Sequence, residues 1–131
     1  MPTFRYDKLV RNKIPGFHQE AGHDIVYRRL RVVELAEALA RKLQEEAQEV
    51  FDATTPAGLI EEIADVQQVI DDLCVVSGIS KQKVFDVMTD KAERKGNFLA
   101  GRYIETVTMP NEQDEWVAYC RASPEKYPEV E

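Results

Sequence analysis

The chain reads as a mostly α protein: a helical bundle completed by oligomerisation, with a possible small two-stranded β element. Three observations predict this. Three long stretches carry strong helix formers, and in them apolar residues recur with the period of an α-helix. Their ends carry helix punctuation: Pro56 after Thr54-Thr55, Ser80, and glycines at 78 and 96. Two of them place paired acids toward the apolar side, where an unpaired charge is expensive.

The elements follow in order. Residues 3–13 mix basic and apolar side chains and stop at Pro15-Gly16, so an extended or irregular arm is expected. A short helix is predicted over 15–21, ended by Gly22. Asp24–Leu30 is rich in β-formers and reads as a short strand. The first long helix is expected from about Val33 to Ala53. Thr54-Thr55-Pro56 ends it and caps the next, with Pro56 near the first turn. The second long helix covers about Pro56 to Ser77 and stops at Gly78. Ser80 is the expected N-cap of a third, which runs to Lys95 and stops at Gly96. Arg102–Thr108 reads as a second strand that pairs with the first. The tail beyond Pro110 is polar, with a short ordered piece expected near Trp116–Tyr119. Residues 1–110 are read as one domain and 111–131 as its tail.

A chain of 131 residues suits one modest core. With 17 Lys+Arg against 24 Asp+Glu, its formal net charge is −7. That balance excludes the broad basic face that a nucleic-acid polymer requires. Cys74 and Cys120 form no spaced motif, and Cys74 is expected as a buried thiol in an apolar helical run. No stretch resembles a signal peptide or a membrane span, so no membrane partner is expected and a cytoplasmic location is.

The chemistry concentrates in two acidic motifs. Glu45-Glu46-Ala47-Gln48-Glu49 lies on the first long helix and Glu61-Glu62-Ile63-Ala64-Asp65 on the second. Glu46 with Glu49, and Glu62 with Asp65, are three residues apart and project from one side of a helix. On the first helix Leu35, Ala36, Leu39, Ala40, Leu43 and Val50 form an apolar stripe, and Glu46 falls inside it. On the second, Leu59, Ile63, Val66, Ile70 and Leu73 form the main stripe. Glu62 falls between it and a secondary line through Val69 and Val76, a line expected to be covered by a partner subunit or, as the alternative, buried within the chain as one side of a two-sided helix. Two such helices packed antiparallel bring four carboxylates together. Such a group calls for a cation, and an oxygen-only ligand set points to Mg²⁺ or Mn²⁺. The alternative is an ordinary solvated acidic face, with Lys42 one turn from Glu45 and Glu46 as a pairing partner. His18 and His23, near Gly22, have no third zinc ligand in view and read as surface or capping residues.

These ExxE and ExxD motifs resemble those of the all-α nucleoside triphosphate pyrophosphohydrolases, the superfamily of MazG-like enzymes, dimeric dUTPases and the phosphoribosyl-ATP pyrophosphohydrolase of histidine biosynthesis. Tyr6-Asp7-Lys8-Leu9-Val10-Arg11-Asn12-Lys13-Ile14-Pro15 is similar to the opening motif of a MazG-like branch. Lys91-Ala92-Glu93-Arg94-Lys95-Gly96-Asn97-Phe98 is similar to its basic, glycine-containing motif. Two positions depart from the pattern: Asn12 stands where Asp is expected, and Asn97 where a second Gly is. Asn97 is expected to keep the turn by adopting a left-handed backbone. The stretch that usually precedes the first acidic helix in the histidine-biosynthesis enzymes is not seen, which points away from phosphoribosyl-ATP as the substrate.

The resemblance implies cleavage between the α- and β-phosphates of a nucleotide, with house-cleaning of non-canonical triphosphates as one role. Glu46, Glu49, Glu62 and Asp65 would hold the metal. Glu45 would be a general base or an outer ligand, and Asp72 a secondary one. Lys8, Arg11 and Lys13 alternate in the arm and would share a face toward phosphate. Lys91, Arg94 and Lys95 either serve the C-terminus of the third helix or bind phosphate. Trp116, Tyr119 and Tyr103 either stack on a base or pack the tail. The other readings are a phosphoribosyl-ATP pyrophosphohydrolase and a non-catalytic helical oligomer that binds a metal or nucleotide. A homodimer or homotetramer is expected.

Overall fold

Local helix signals set the architecture, and the computed structural model, which describes all of residues 1–131, contains five helices and no strand. They are α1 (Ile14–Glu20), α2 (Val32–Asp52), α3 (Pro56–Val76), α4 (Lys81–Lys95) and α5 (Glu115–Arg121). None is long and apolar enough to cross a membrane. The chain forms two compact units, Met1–Arg94 and Lys95–Glu131.

The helix ends follow from end chemistry. At the start of α2, Glu34 accepts a hydrogen bond from the Arg31 backbone N–H at 3.4 Å. Thr55 caps α3, its Oγ1 accepting from Gly58 N at 3.0 Å, and Pro56 stands in the first turn. At the far end of α3 the N–H of Ile79 reaches Cys74 O and that of Gly78 reaches Val75 O. This closure needs the positive φ of Gly78, 67°. Gly22 closes α1 in the same way, which folds His23 back beside His18.

The first unit is built on one contact: α2 and α3, joined through Ala53–Thr55, are the only helix pair in extensive contact. Its core is thin. Leu39 is 4% exposed, Val69 8% and Cys74 8%. The seam on α3 runs through Glu62, Val66, Val69, Leu73 and Val76, all buried or half-buried. This seam draws on both expected lines of α3, with Val66 and Leu73 from the main stripe and Val69 and Val76 from the secondary one. The line through Val69 and Val76, assigned to a partner subunit, packs within the chain, while Leu59 and Ile63 of the main stripe are 39% and 51% exposed. The helix turns toward α2 the side on which the two lines meet, and Glu62 lies on that side. All of α4 is exposed.

The two-stranded element is absent. Asp24–Leu30 and Arg102–Thr108 have no regular secondary structure. β-Branched residues favour extended backbone, but a strand exists only with a ladder partner, and neither segment has one. In the second unit Asp114 caps α5 by accepting from Trp116 N at 2.9 Å. Arg121 joins Glu112 at 3.0 Å and Glu129 at 2.7 Å, and the rings of Trp116 and Tyr119 meet edge-on.

Candidate active site

The hairpin delivers its carboxylates to one point. Glu46 and Glu49 of α2 and Glu62 and Asp65 of α3 each bring one carboxylate oxygen within 4.8 Å of the others. Their settings differ. Glu46 is 7% exposed, Glu62 and Asp65 are half-buried, and Glu49 is open to solvent. Glu46 Oε2 and Glu62 Oε2 are buried without a hydrogen-bond partner. A buried carboxylate oxygen left unmatched carries its full desolvation cost. Burial, then the neighbouring Glu49, and then the charge of Asp65 push the Glu46 carboxyl above the usual glutamate range, against the opposing pull of Lys42.

Three cations reach this region. Lys42 lies 3.3 Å from Glu45 Oε1 and 3.5 Å from Glu46 Oε1, so it serves both. Lys8 Nζ lies 3.5 Å from Glu45 Oε1, and Arg11 Nη2 lies 2.6 Å from Asp65 Oδ1. The arm of the same chain therefore spans from α2 to α3 across the cluster. Asp7, with φ of 44°, turns the backbone immediately before Lys8. This is the feature that alternation of charge along the arm missed. The only signal for it was the tolerance of Asp for left-handed backbone.

The remaining candidates are not members of the four-carboxylate group. Glu45 stands beside the cluster, held by Lys8 and Lys42. Asp72 accepts from Gln68 at 3.1 Å and is outside the four-carboxylate group. Lys13 and Lys91 make no ion pair, and Arg94 is taken up by Asp90 at 2.8 Å. Lys95 lies in the second unit, where it lines a shallow hollow with Asn97, Phe98 and Arg102. Asn97 does not take the left-handed backbone expected of it. Its Oδ1 accepts from Leu99 N at 2.9 Å, and Gly96 and Gly101 supply the positive φ values instead. His18 and His23 share an Nδ1···Nδ1 hydrogen bond of 2.9 Å.

Facing ExxE and ExxD motifs on an antiparallel hairpin are the arrangement of an all-α, MazG-like nucleotide pyrophosphohydrolase. Residues 24–92, more than half of the chain, match the phosphoribosyl-ATP pyrophosphohydrolase family, and the chain belongs to that family. No curated protein and no solved structure matches it. The family match makes the chain a pyrophosphohydrolase rather than a non-catalytic binding module.

Two orphaned, buried oxygens within a ring of four carboxylates fit a hard divalent cation, and pyrophosphohydrolases of this family typically use one. The fit rests on the donor set: oxygen only, with neither histidine nor cysteine in the group.

Proposed function

We propose that the chain is a Mg²⁺- or Mn²⁺-dependent nucleoside triphosphate pyrophosphohydrolase. It releases a nucleoside monophosphate and pyrophosphate, with non-canonical triphosphates as candidate substrates. The observation that carries this reading is the pair of unpartnered buried oxygens, Glu46 Oε2 and Glu62 Oε2, inside the four-carboxylate cluster. Glu46, Glu49, Glu62 and Asp65 hold the metal. A divalent ion bound there supplies Lewis acidity toward the phosphates and toward an attacking water. Glu45 accepts the proton of that water, and Lys8 and Lys42 keep its carboxylate beside the cluster. Lys8, Arg11 and Lys13 bind phosphate oxygens from the arm. Lys91 and Arg94, near the end of α4, add cationic groups for phosphate. The working form is a homodimer or homotetramer. This is supported by α4, whose Val84, Phe85, Val87 and Met88 are all exposed, and by Ile60 and Ile63 of α3.

A second reading, phosphoribosyl-ATP as substrate, is favoured by the family match over residues 24–92. Pyrophosphate release from a panel of canonical and modified nucleoside triphosphates and phosphoribosyl-ATP, with Mg²⁺, with Mn²⁺ and with chelator, separates the two. Metal-dependent release from the triphosphates supports the first reading. Release from phosphoribosyl-ATP alone replaces it with the second. No release from any compound sinks both.

A further inference from the structure

We propose that the arm is an exchange strap. In the metal-free chain Arg11 neutralises Asp65, and on loading it gives that carboxylate up to the cation and transfers to the phosphate of the incoming polyphosphate. The proposal rests on the metal-site reading above and adds a change of partner to it.

The geometry divides the cluster into an inner and an outer part. The inner oxygens, Glu46 Oε2 and Glu62 Oε2, are buried and unpartnered. The strap reaches Asp65 of the cluster, with Arg11 Nη2 2.6 Å from Asp65 Oδ1, and Glu45 beside it, with Lys8 Nζ 3.5 Å from Glu45 Oε1. Asp65 is therefore both a member of the cation-sized cluster and the partner of a guanidinium. Two positive charges compete at one carboxylate, and the arrival of a divalent ion weakens the arginine's hold by direct repulsion. The Arg11–Asp65 pair faces water, with side chains 59% and 38% exposed, so it is screened and opens at little cost. A released guanidinium has a fork that matches phosphate oxygens, and phosphate would lie against the metal.

Local backbone geometry shapes the strap on either side of Arg11. Asp7 turns the chain before Lys8. Beyond Arg11, the N–H of Ile14 bonds Arg11 O at 3.0 Å and that of Phe17 bonds Lys13 O at 3.2 Å, which ties the arm to the start of α1. Leu9, between the two cations, is half-buried.

The exchange predicts effects of opposite sign from one substitution. The full chain, Arg11→Gln and Arg11→Lys are titrated with Mn²⁺ alone, followed by the resonance of free Mn²⁺, and with inorganic tripolyphosphate at saturating Mn²⁺, followed by calorimetry. Arg11→Gln is expected to bind Mn²⁺ alone several-fold more tightly, having lost a competitor, and to bind Mn²⁺-tripolyphosphate about tenfold more weakly. Arg11→Lys is expected to fall between it and the parent for tripolyphosphate, since it keeps the charge and loses the fork. Weakening of both ligands by Arg11→Gln would mean a structural brace and overturns the exchange. Weaker tripolyphosphate with unchanged Mn²⁺ would mean a simple phosphate clamp and overturns it too, as would no change in either. If the parent chain binds no Mn²⁺, the metal-site reading itself fails, an outcome distinct from all of these.

Discussion

The α2–α3 hairpin and α4 begin from the same kind of sequence and end differently. All three helices are rich in helix formers and have recognisable caps and stops. The hairpin has a seam, a buried Glu46 and a four-carboxylate cluster. Helix α4 has fifteen residues and buries none of them. Helix formation is a property of a segment, whereas burial is a property of a pair. The paired region brings the four carboxylates together. The unpaired one offers an apolar and basic surface that becomes structural only when something covers it.

The largest effect expected is on turnover. Glu46→Gln in the hairpin is expected to lower pyrophosphate release by at least about 100-fold, because it removes a buried carboxylate from the proposed metal site. Lys91→Gln in α4 is expected to lower it less and to act mainly through KM. Equal losses in kcat would break the comparison and place α4 at the reacting atoms.

Stability comes next. Leu39→Ala is expected to cost about 2–5 kcal/mol by denaturant unfolding, from the lost burial and the cavity left behind. Met88→Ala is expected to cost under about 0.5 kcal/mol in a dilute single chain. A cost for Met88→Ala that grows with protein concentration would show α4 buried in an assembly, and the contrast between the regions would then hold only within one chain.

The pH dependence sharpens the comparison further. Burial and Glu49 raise the Glu46 carboxyl, so the fold favours its protonated form. The contribution of Glu46 to the stability of the metal-free chain is expected to grow as pH falls through that raised value and to be complete below the ordinary glutamate range, whereas Glu34, Asp71 and Glu129, held low by their hydrogen bonds, contribute in the opposite sense. Glu46→Gln should flatten this slope in thermal melts, and no α4 substitution should alter it. The smallest expected difference is in capping. Thr55→Ala is expected to cost about 1 kcal/mol. Ser80→Ala, where Lys83 N donates to Ser80 Oγ at 3.3 Å ahead of an unpacked helix, is expected to cost a few tenths.

Caps, helix bounds and the acidic motifs were legible because each depends on neighbours within a turn or two. Thr55, Pro56, Gly78 and Ser80 mark real boundaries for that reason. That the α3 seam would draw on both apolar lines, with Val69 inward and Ile63 outward, was not legible. Val69 and Ile63 are equally apolar, and the choice depends on how a second helix docks. The strands assigned to 24–30 and 102–108 failed for a related cause, since composition reports a tendency to extend and says nothing of a partner. The convergence of Glu46, Glu49, Glu62 and Asp65 was readable from spacing and antiparallel packing. The reach of Arg11 to Asp65 crosses 54 residues, and only the charge pattern of the arm pointed toward it.

The short connection at Ala53–Thr55 has a consequence for how the molecule assembles in time. All four carboxylates lie between residues 46 and 65, so the acidic group comes together as soon as α2 and α3 meet. Contacts this local close quickly and cost little chain entropy. The electrostatic penalty of the site is therefore met early, in the step that forms the hairpin. Ionic strength and divalent cations are accordingly expected to change how fast this protein folds, as well as how well it holds once folded.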